Sequence, residues 1–583
     1  MDTFALGDRP RGLRRWVPGI ALLDTYSRGL FARDLAAGLA LTAVLVPVGM
    51  GYAAAAGLPA INGLYATIVP LLAYAMLGPS RILVLGPDSA LAALIAATIL
   101  PLAAGDAARA AGLAGTLAIL SGALCILAGF ARFGFITDLL SKPIRHGYVN
   151  GIALTVLVGQ LPKLFGFPAS GDTIAQQASG VARSLLGGRA SAAACAIGFS
   201  CLVVILVFRR WAPRIPGVLV AVAGATLAVS LFGLAARAGV AVVGPVPQGL
   251  PAFQVPLAAA DEWGKLLAGA IAIALVSFAD MSVLSRTFAL RGGYVVDQNQ
   301  ELVALGAANM AAGLFQGFSV SSSASRTPVA EAAGARTQVT GLVGALSIAL
   351  LLIFAPTLLR DLPVAALGAV VIAASLSLVE IRGIVRLYHV RRSEFAHAIV
   401  CFLGVALLGV IPGIFAAVGL SLLSFIWRAW RPYDAVLGLV DGLKGFHDIA
   451  RHADAKRIPG LVLFRWDAPL FFANAEIFLE HVVRAVSAAP TPTKWVVVAA
   501  EPVTDVDITA ADALAELDEK LHQAGIELCF AEMKGPVKDH LKRYGLFAKL
   551  GTENFFTTID QAVDRYLEVH PTEWRNGDDR RNA

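Results

Sequence analysis

The stretches Gly86-Pro87-Asp88-Ser89-Ala90 and Ser319-Val320-Ser321-Ser322-Ser323-Ala324-Ser325-Arg326 break an apolar pattern twice, and each opens a segment too short to cross a bilayer. From Ser89 to Leu100 there are 12 residues before Pro101, which at ~1.5 Å each reach about 18 Å into a hydrocarbon core roughly 30 Å thick. Thr327 to Ala335 is shorter still. Both read as half-helices. Short segments interrupted by Gly or Pro in matching places of two halves point to a transport site. Helix N-termini near mid-bilayer offer unpaired N–H groups and a positive dipole end to an anion. The expectation is a transporter of a small anion.

The rest of the chain agrees with a membrane setting. Hydrophobic residues make up 57%, charged residues 15%, and mean hydropathy is +0.70 over 583 residues, which excludes an ordinary soluble enzyme. Apolar runs recur from Leu35 to Trp430 and give about 14 spans, centred from Val44 to Leu420, counting the two half-spans. Arginines and lysines cluster in the connections after even-numbered spans (Arg132, Lys142 and Arg145; Arg209 and Arg210; Arg286 and Arg291; Arg382 to Arg392), so that side and both termini are expected in the cytoplasm. The segment from Pro168 to Arg189, read as an opposite-side loop, carries two arginines against this rule. A bacterial inner-membrane location follows, and no cleavable signal is visible. The +6 formal charge is then topogenic and no nucleic-acid partner is expected. Five scattered cysteines and nine histidines show no metal spacing, and no metal or cofactor is expected.

Seven spans precede and seven follow the Pro/Gly-rich loop 244–251, so equivalent elements run in opposite directions: an inverted repeat, about 33–250 and 262–431. The half-helix starts then face each other. Tyr52, an aromatic among small residues, is a candidate cavity residue, with a purely structural role an equal alternative. Asp88 reads first as an N-cap. Asp280 lies in an otherwise apolar span, where a charged carboxylate costs about 2.5–3.5 kcal/mol. It should face a cavity or bind a proton, which an arriving anion favours; the alternative is a structural ion pair with Arg326. Arg326 offers a planar fork to an oxyanion. Ser323 and Ser325 are candidate hydroxyl donors, Ser321 and Ser322 candidate backbone partners, and Glu331 is structural or a second proton site.

These residues resemble the SulP (sulfate permease) family of anion transporters, from about Arg33 to Val569. The resemblance is carried by Asp34-Leu35-Ala36-Ala37-Gly38, Val46-Pro47-Val48-Gly49-Met50-Gly51-Tyr52-Ala53, Gly57 to Tyr65, Asp297-Gln298-Asn299-Gln300-Glu301-Leu302, and Ser325-Arg326 followed by Gly334-Ala335-Arg336-Thr337-Gln338. It implies a polytopic helical membrane domain with a seven-plus-seven inverted repeat. A core of spans 1–4 and 8–11 would move like an elevator against a gate of spans 5–7 and 12–14, in a homodimer. By position it places a substrate pocket on Tyr52, Asp88, Ser89, Ala90, Asp280, Ser323, Ala324, Ser325 and Arg326. Two departures matter: many members carry Gln at Val48, and sodium-coupled bicarbonate members carry a hydroxyl where this chain has Leu284, which speaks against sodium coupling.

Beyond Arg431 polar residues become frequent, and 432–568 reads as a cytoplasmic α/β domain flanked by a membrane domain at 33–431, a cytoplasmic segment 1–32 and a polar tail 569–583. Strands are expected at 460–466, 494–499 and 526–531, and a helix at 510–523. Pro469 to Glu476 and Asp505 to Ala510 resemble a STAS domain, with Thr509 in the phosphoacceptor place, although a Thr opening a helix is usually a cap. No Walker loop or catalytic set appears, so the chain is not read as an enzyme. The leading expectation is proton-coupled symport of sulfate, bicarbonate or a dicarboxylate. Sodium-coupled bicarbonate uptake, an uncoupled channel, or a membrane-anchored scaffold for a cytoplasmic regulator are the alternatives.

Overall fold

The computed structural model describes residues 16–20, 26–135, 141–167, 174–212, 215–256, 258–323 and 326–572. The expected site residues Ala324 and Ser325 lie outside them. The chain divides into two compact units, Met1–Ser421 and Leu422–Ala583.

In the first unit the apolar runs become α1 (Arg28–Ala55), α2 (Ala60–Leu77), α3 (Ser89–Ala103), α4 (Ala107–Phe130), α5 (Lys142–Phe165), α6 (Ile174–Leu186), α7 (Ala192–Trp211) and α8 (Gly217–Phe232). The second half supplies α9 (Trp263–Gly292), α10 (Gln298–Leu314), α11 (Arg326–Ala332), α12 (Val339–Phe354), α13 (Val364–Leu378), α14 (Ile381–Val390), α15 (Arg392–Leu408) and α16 (Val410–Trp430). Every expected span has its helix. Among the described residues, eight stretches are long and apolar enough to cross a membrane, α13 and α14 counting together. Helices α6 and α14 fall where loops were expected, in 168–189 and in the arginine-rich connection after Leu378.

The half-helices differ from expectation in length. Pro101 does not end the first one. α3 runs 15 residues to Ala103 with Pro101 inside it; the missing N–H forfeits one backbone bond, and the helix ends two residues later. The second begins at Arg326 and has only 7 residues. Ahead of them, β1 (Leu85–Gly86) and β2 (Ser321–Ser322) pair antiparallel, with Leu85 opposite Ser322 and Gly86 opposite Ser321. Antiparallel pairing sends the two half-helices away in opposite directions, which is the inverted repeat made visible.

Packing separates two groups of helices. α1, α2, α4, α9, α10 and α12 pack on one another with α3 and α11 among them, while α5 packs on α7, α13 and α15, and α7 also on α8. One close crossing is α4 on α10. A Cβ at Gly122 would meet the Gly306 carbonyl oxygen at 2.6 Å, and one at Gly313 would meet that of Gly115 at 2.4 Å. Only glycine lets these backbones approach so closely.

The second unit is a six-stranded sheet, in the order β4-β3-β5-β6-β7-β8, of β3 (Asp434–Leu439), β4 (Phe446–Asp448), β5 (Leu461–Trp466), β6 (Trp495–Ala499), β7 (Glu527–Ala531) and β8 (Phe555–Phe556). β5 through β8 are parallel; β3 is antiparallel to both its neighbours. One face buries Phe464, Val498 and Phe530 under α17 (Ala475–Ser487) and α18 (Ile508–Gln523); the other buries Trp495 and Cys529 under α20 (Ile559–Val569), with α19 (Gly535–Arg543) following β7. The three expected strands and the helix are present. The N-cap of α18 is Asp507, whose carboxylate accepts from Ala510 N at 2.8 Å, so Thr509 is an exposed residue inside the first turn rather than the cap.

Candidate functional site

The extended segments are fixed before the site is built on them. Val320 N donates to Asn309 Oδ1 at 2.6 Å and Asn309 Nδ2 donates to the Val320 carbonyl at 3.2 Å. Ser321 Oγ donates to the Ser277 carbonyl of α9 at 3.0 Å. Val84 is held from the other half, its N–H donating to Thr327 Oγ1 at 3.1 Å and its carbonyl accepting from Ser323 N at 3.1 Å. Irregular backbone at membrane depth is tolerated because each of these groups finds a partner inside the protein.

The two half-helix starts are then capped by side chains. Asp88 is the N-cap of α3 and accepts from Ala90 N at 3.1 Å, so the cap reading holds. Ser323 Oγ accepts from Arg326 N at 3.2 Å and caps α11. Some of the main-chain donors expected to meet an anion are therefore already occupied, and α11 is too short to carry much of a dipole.

The positive charge comes instead from Arg326. It is wholly buried (0% exposed), and its Nε, Nη1 and Nη2 have no hydrogen-bond partner among the described residues. Its guanidinium lies against Gly86, where a Cβ would come within 3.0 Å of Nη1. Tyr52, 3% exposed, sits beside Ser89 and in the field of both Asp88 and Arg326. Ser89 and Ala90 are buried at the start of α3. The structure thus brings together Tyr52, Asp88, Ser89, Ala90, Ser323 and Arg326 from three segments far apart in sequence. A buried guanidinium with three unpaired donors is complementary to a small oxyanion, which it can hold through two parallel bonds.

Asp280 stands in α9 in the field of Asp88, Arg145 and Glu380. Arg326 feels Tyr52 and Asp88 instead, and no ion pair joins Asp280 to Arg326 among the described residues. The structural-pair alternative for Asp280 is not realised. Glu331 is elsewhere: it pairs with Arg291 at 3.2 Å, with 37% of its side chain exposed. Two residues join the candidates that sequence reasoning passed over. Among the described residues, Tyr148 of α5, 2% exposed, has an unpartnered hydroxyl near Asp280, and Ser322, expected to serve the backbone, has an unpartnered Oγ. Neither carries a sequence signal, since only the fold shows which hydroxyls are left over.

The Sulfate permease family model matches residues 31–401 and the STAS domain model residues 452–562. The chain belongs to the sulfate permease family. Among curated relatives, a Mycobacterium tuberculosis protein named "Probable sulfate transporter" is 42% identical over 551 residues, covering 94% of this chain and 98% of the relative. Human solute carrier family 26 member 6 is 34% identical over 503 residues, covering 80% and 64%. The solved structure of murine solute carrier 26 family member A9 in the inward-facing state superposes with a TM-score of 0.88 at 24% identity, covering 97% of each chain, and so shares the fold. A permease of this family is a membrane-embedded anion transporter, not an enzyme, and the family's motifs have visible structural work. Asp34 accepts from Tyr26 Oη, Arg336 N, Thr337 N, Thr337 Oγ1 and Thr340 Oγ1 at 2.6–3.1 Å. Glu301 accepts from Tyr74 Oη at 2.7 Å and from Ser80 Oγ.

Proposed function

We propose that this permease is a proton-coupled symporter of a small oxyanion of the sulfate class, with Arg326 as the fixed cation of its binding pocket. The observation that carries the reading is the fully buried Arg326 guanidinium, unpartnered on all three nitrogens between the two half-helix starts. Leaving such a group unpaired inside a protein is costly, and an anion removes that cost. Tyr52, Ser89, Ala90 and Ser323 complete the pocket around it, with Asp88 as the cap that orders the first half-helix; Ala324 and Ser325 are assigned to it by sequence position alone. The relative named a sulfate transporter, 42% identical over 551 residues, supports sulfate as the first substrate to try.

Proton coupling rests on Asp280. Its carboxylate lies in an apolar span, near a second acid, Asp88, and without an ion-pair partner among the described residues. An anion arriving at Arg326 makes the charged form of Asp280 less favourable still, so anion and proton bind together and move together. Transport is by movement of the α1–α4 and α9–α12 core against the α5–α8 and α13–α16 gate, in a homodimer in the bacterial inner membrane with both termini cytoplasmic. Thr509, exposed on the C-terminal unit, is the proposed regulatory acceptor.

The test is uptake of labelled sulfate, bicarbonate and fumarate into proteoliposomes holding the full chain, with and without pH and sodium gradients. Accumulation driven by an inwardly directed proton gradient and indifferent to sodium is the expected result. Flux insensitive to both gradients would make the protein an uncoupled channel, and absence of any anion flux would end the transport reading.

A further inference from the structure

A second place in the membrane unit has the chemistry of an anion site and is separate from the Arg326 pocket. A cavity of about 620 Å3 opens between the C-terminal end of α1, the side of α3 bearing Ala93, Ala96 and Ala97, the last turns of α5, and the turn from α15 to α16. That volume is in the range of small-molecule sites. It lies toward the membrane face opposite the arginine-rich loops, starting one turn beyond Ala90.

Three polar residues of α5 line it, Thr155, Gln160 and Lys163, together with Gln177 of α6; the Thr155 hydroxyl is already used on the Gly151 carbonyl at 3.0 Å. A lysine in the last turn of a spanning helix ordinarily snorkels outward to the lipid headgroups. Lys163 instead turns inward, and its Nζ donates to the carbonyl of Ala54 in the last turn of α1. No carboxylate pairs with it, and none lines the cavity, among the described residues. Gln160 is 4% exposed and its Oε1 has no partner among the described residues. Among the described residues, the cavity therefore holds an ammonium without a counter-ion and an acceptor without a donor. A hydrated oxyanion supplies both complements, its oxygen to Nζ and a proton of its bound water to Oε1.

We infer that Lys163 and Gln160 form an outer docking site where the oxyanion is held before it reaches Arg326. Lys163 belongs to the gate group and Ala54 to the core group, so their bond crosses the boundary that the proposed movement shears. An anion entering the cavity replaces a neutral carbonyl with a full charge at Nζ, and loosens that bond as it binds. The inference rests on the transport reading above and adds to it a sided affinity that Arg326 alone does not give.

Sided kinetics in oriented proteoliposomes of the full chain test it, using whichever of labelled sulfate, bicarbonate or fumarate the wild type carries. Lys163→Met should raise the half-saturation concentration from the arginine-poor face about tenfold and leave that from the other face unchanged. Lys163→Arg should restore most of the affinity. Gln160→Leu should give a smaller rise confined to the same face, and it keeps the test open if Lys163→Met folds poorly. Unchanged affinity from the arginine-poor face, or an equal loss from both faces, would overturn the docking site. Arg326→Ala should lose affinity from both faces, so failure of the central pocket and failure of the docking site give different patterns. No flux in the wild type would overturn both.

Discussion

Asp34 and Arg326 are both charged, both in the membrane unit and both wholly buried, yet they are opposites in how their hydrogen-bonding capacity is used. Asp34 receives five donors, from Tyr26 ahead of α1, from Arg336 and Thr337 before α12, and from Thr340 in the first turn of α12. Arg326 has no partner for its three nitrogens among the described residues. A satisfied buried charge is scaffold: it joins α1 to the turn preceding α12 across the two halves. An unsatisfied one is a site, because evolution has little reason to keep its desolvation cost unless something binds there.

The contrast is breakable, beginning with the largest effect. Asp34→Ala should orphan several buried donors and lower stability by at least about 3 kcal/mol, read as loss of thermal stability in detergent with little folded protein to assay. Arg326→Ala should leave thermal stability unchanged or raised while anion binding falls about 100-fold for every anion tested; a large loss of stability would show that the guanidinium was scaffold after all. Gly86→Ala sharpens the point without removing the charge. At φ 154° and with its Cβ 3.0 Å from Arg326 Nη1, the substitution should shift the guanidinium and weaken binding about tenfold.

Asp280→Asn separates binding from coupling. Anion affinity should change less than about threefold, whereas accumulation driven by pH should vanish, since Asn carries no exchangeable charge. In the wild type, uptake should rise as the pH on the loading side falls and flatten once Asp280 is fully protonated. If pH-driven accumulation survives the substitution, the proton travels elsewhere.

The smallest effect is in the C-terminal unit. The Tyr433 hydroxyl donates to Asp448 and holds that carboxyl below its usual range. A depressed folded value means the stabilisation is present above the ordinary carboxylate value and is lost as pH falls through the folded one. Tyr433→Phe should therefore cost a little stability at neutral pH, as for a solvent-screened contact, and none in strong acid. Hydrogen exchange along β3 and β4 reports it.

Much of the fold was legible because hydropathy and periodicity are local. The half-helices were readable from Gly86-Pro87 and from the serine run, and the parallel strands of the second unit from their continuous apolar stretches. The lengths were not. Pro101 looked like a stop, and α3 runs on to Ala103 past it; the residues after Arg326 looked longer than the 7 that form α11. Helices α6 and α14 hid in polar, arginine-bearing connections whose apolar face only a neighbouring surface reveals. At the site, sequence reasoning placed the attraction for an anion mainly on main-chain N–H groups. The structure spends some of those on Asp88 and Ser323 and gives the role to Arg326.

The sequence by itself determined where this chain meets the bilayer, how many times it crosses, and that two crossings are incomplete, because each of those depends on the residues of one segment. Only the tertiary structure decided which buried charges are satisfied. Asp34 finds Arg336 N from 302 positions away, and Arg326 finds no partner at any distance among the described residues. A hydrogen bond needs its partner within about 3 Å, and proximity between segments hundreds of residues apart is a property of packing that no local pattern encodes.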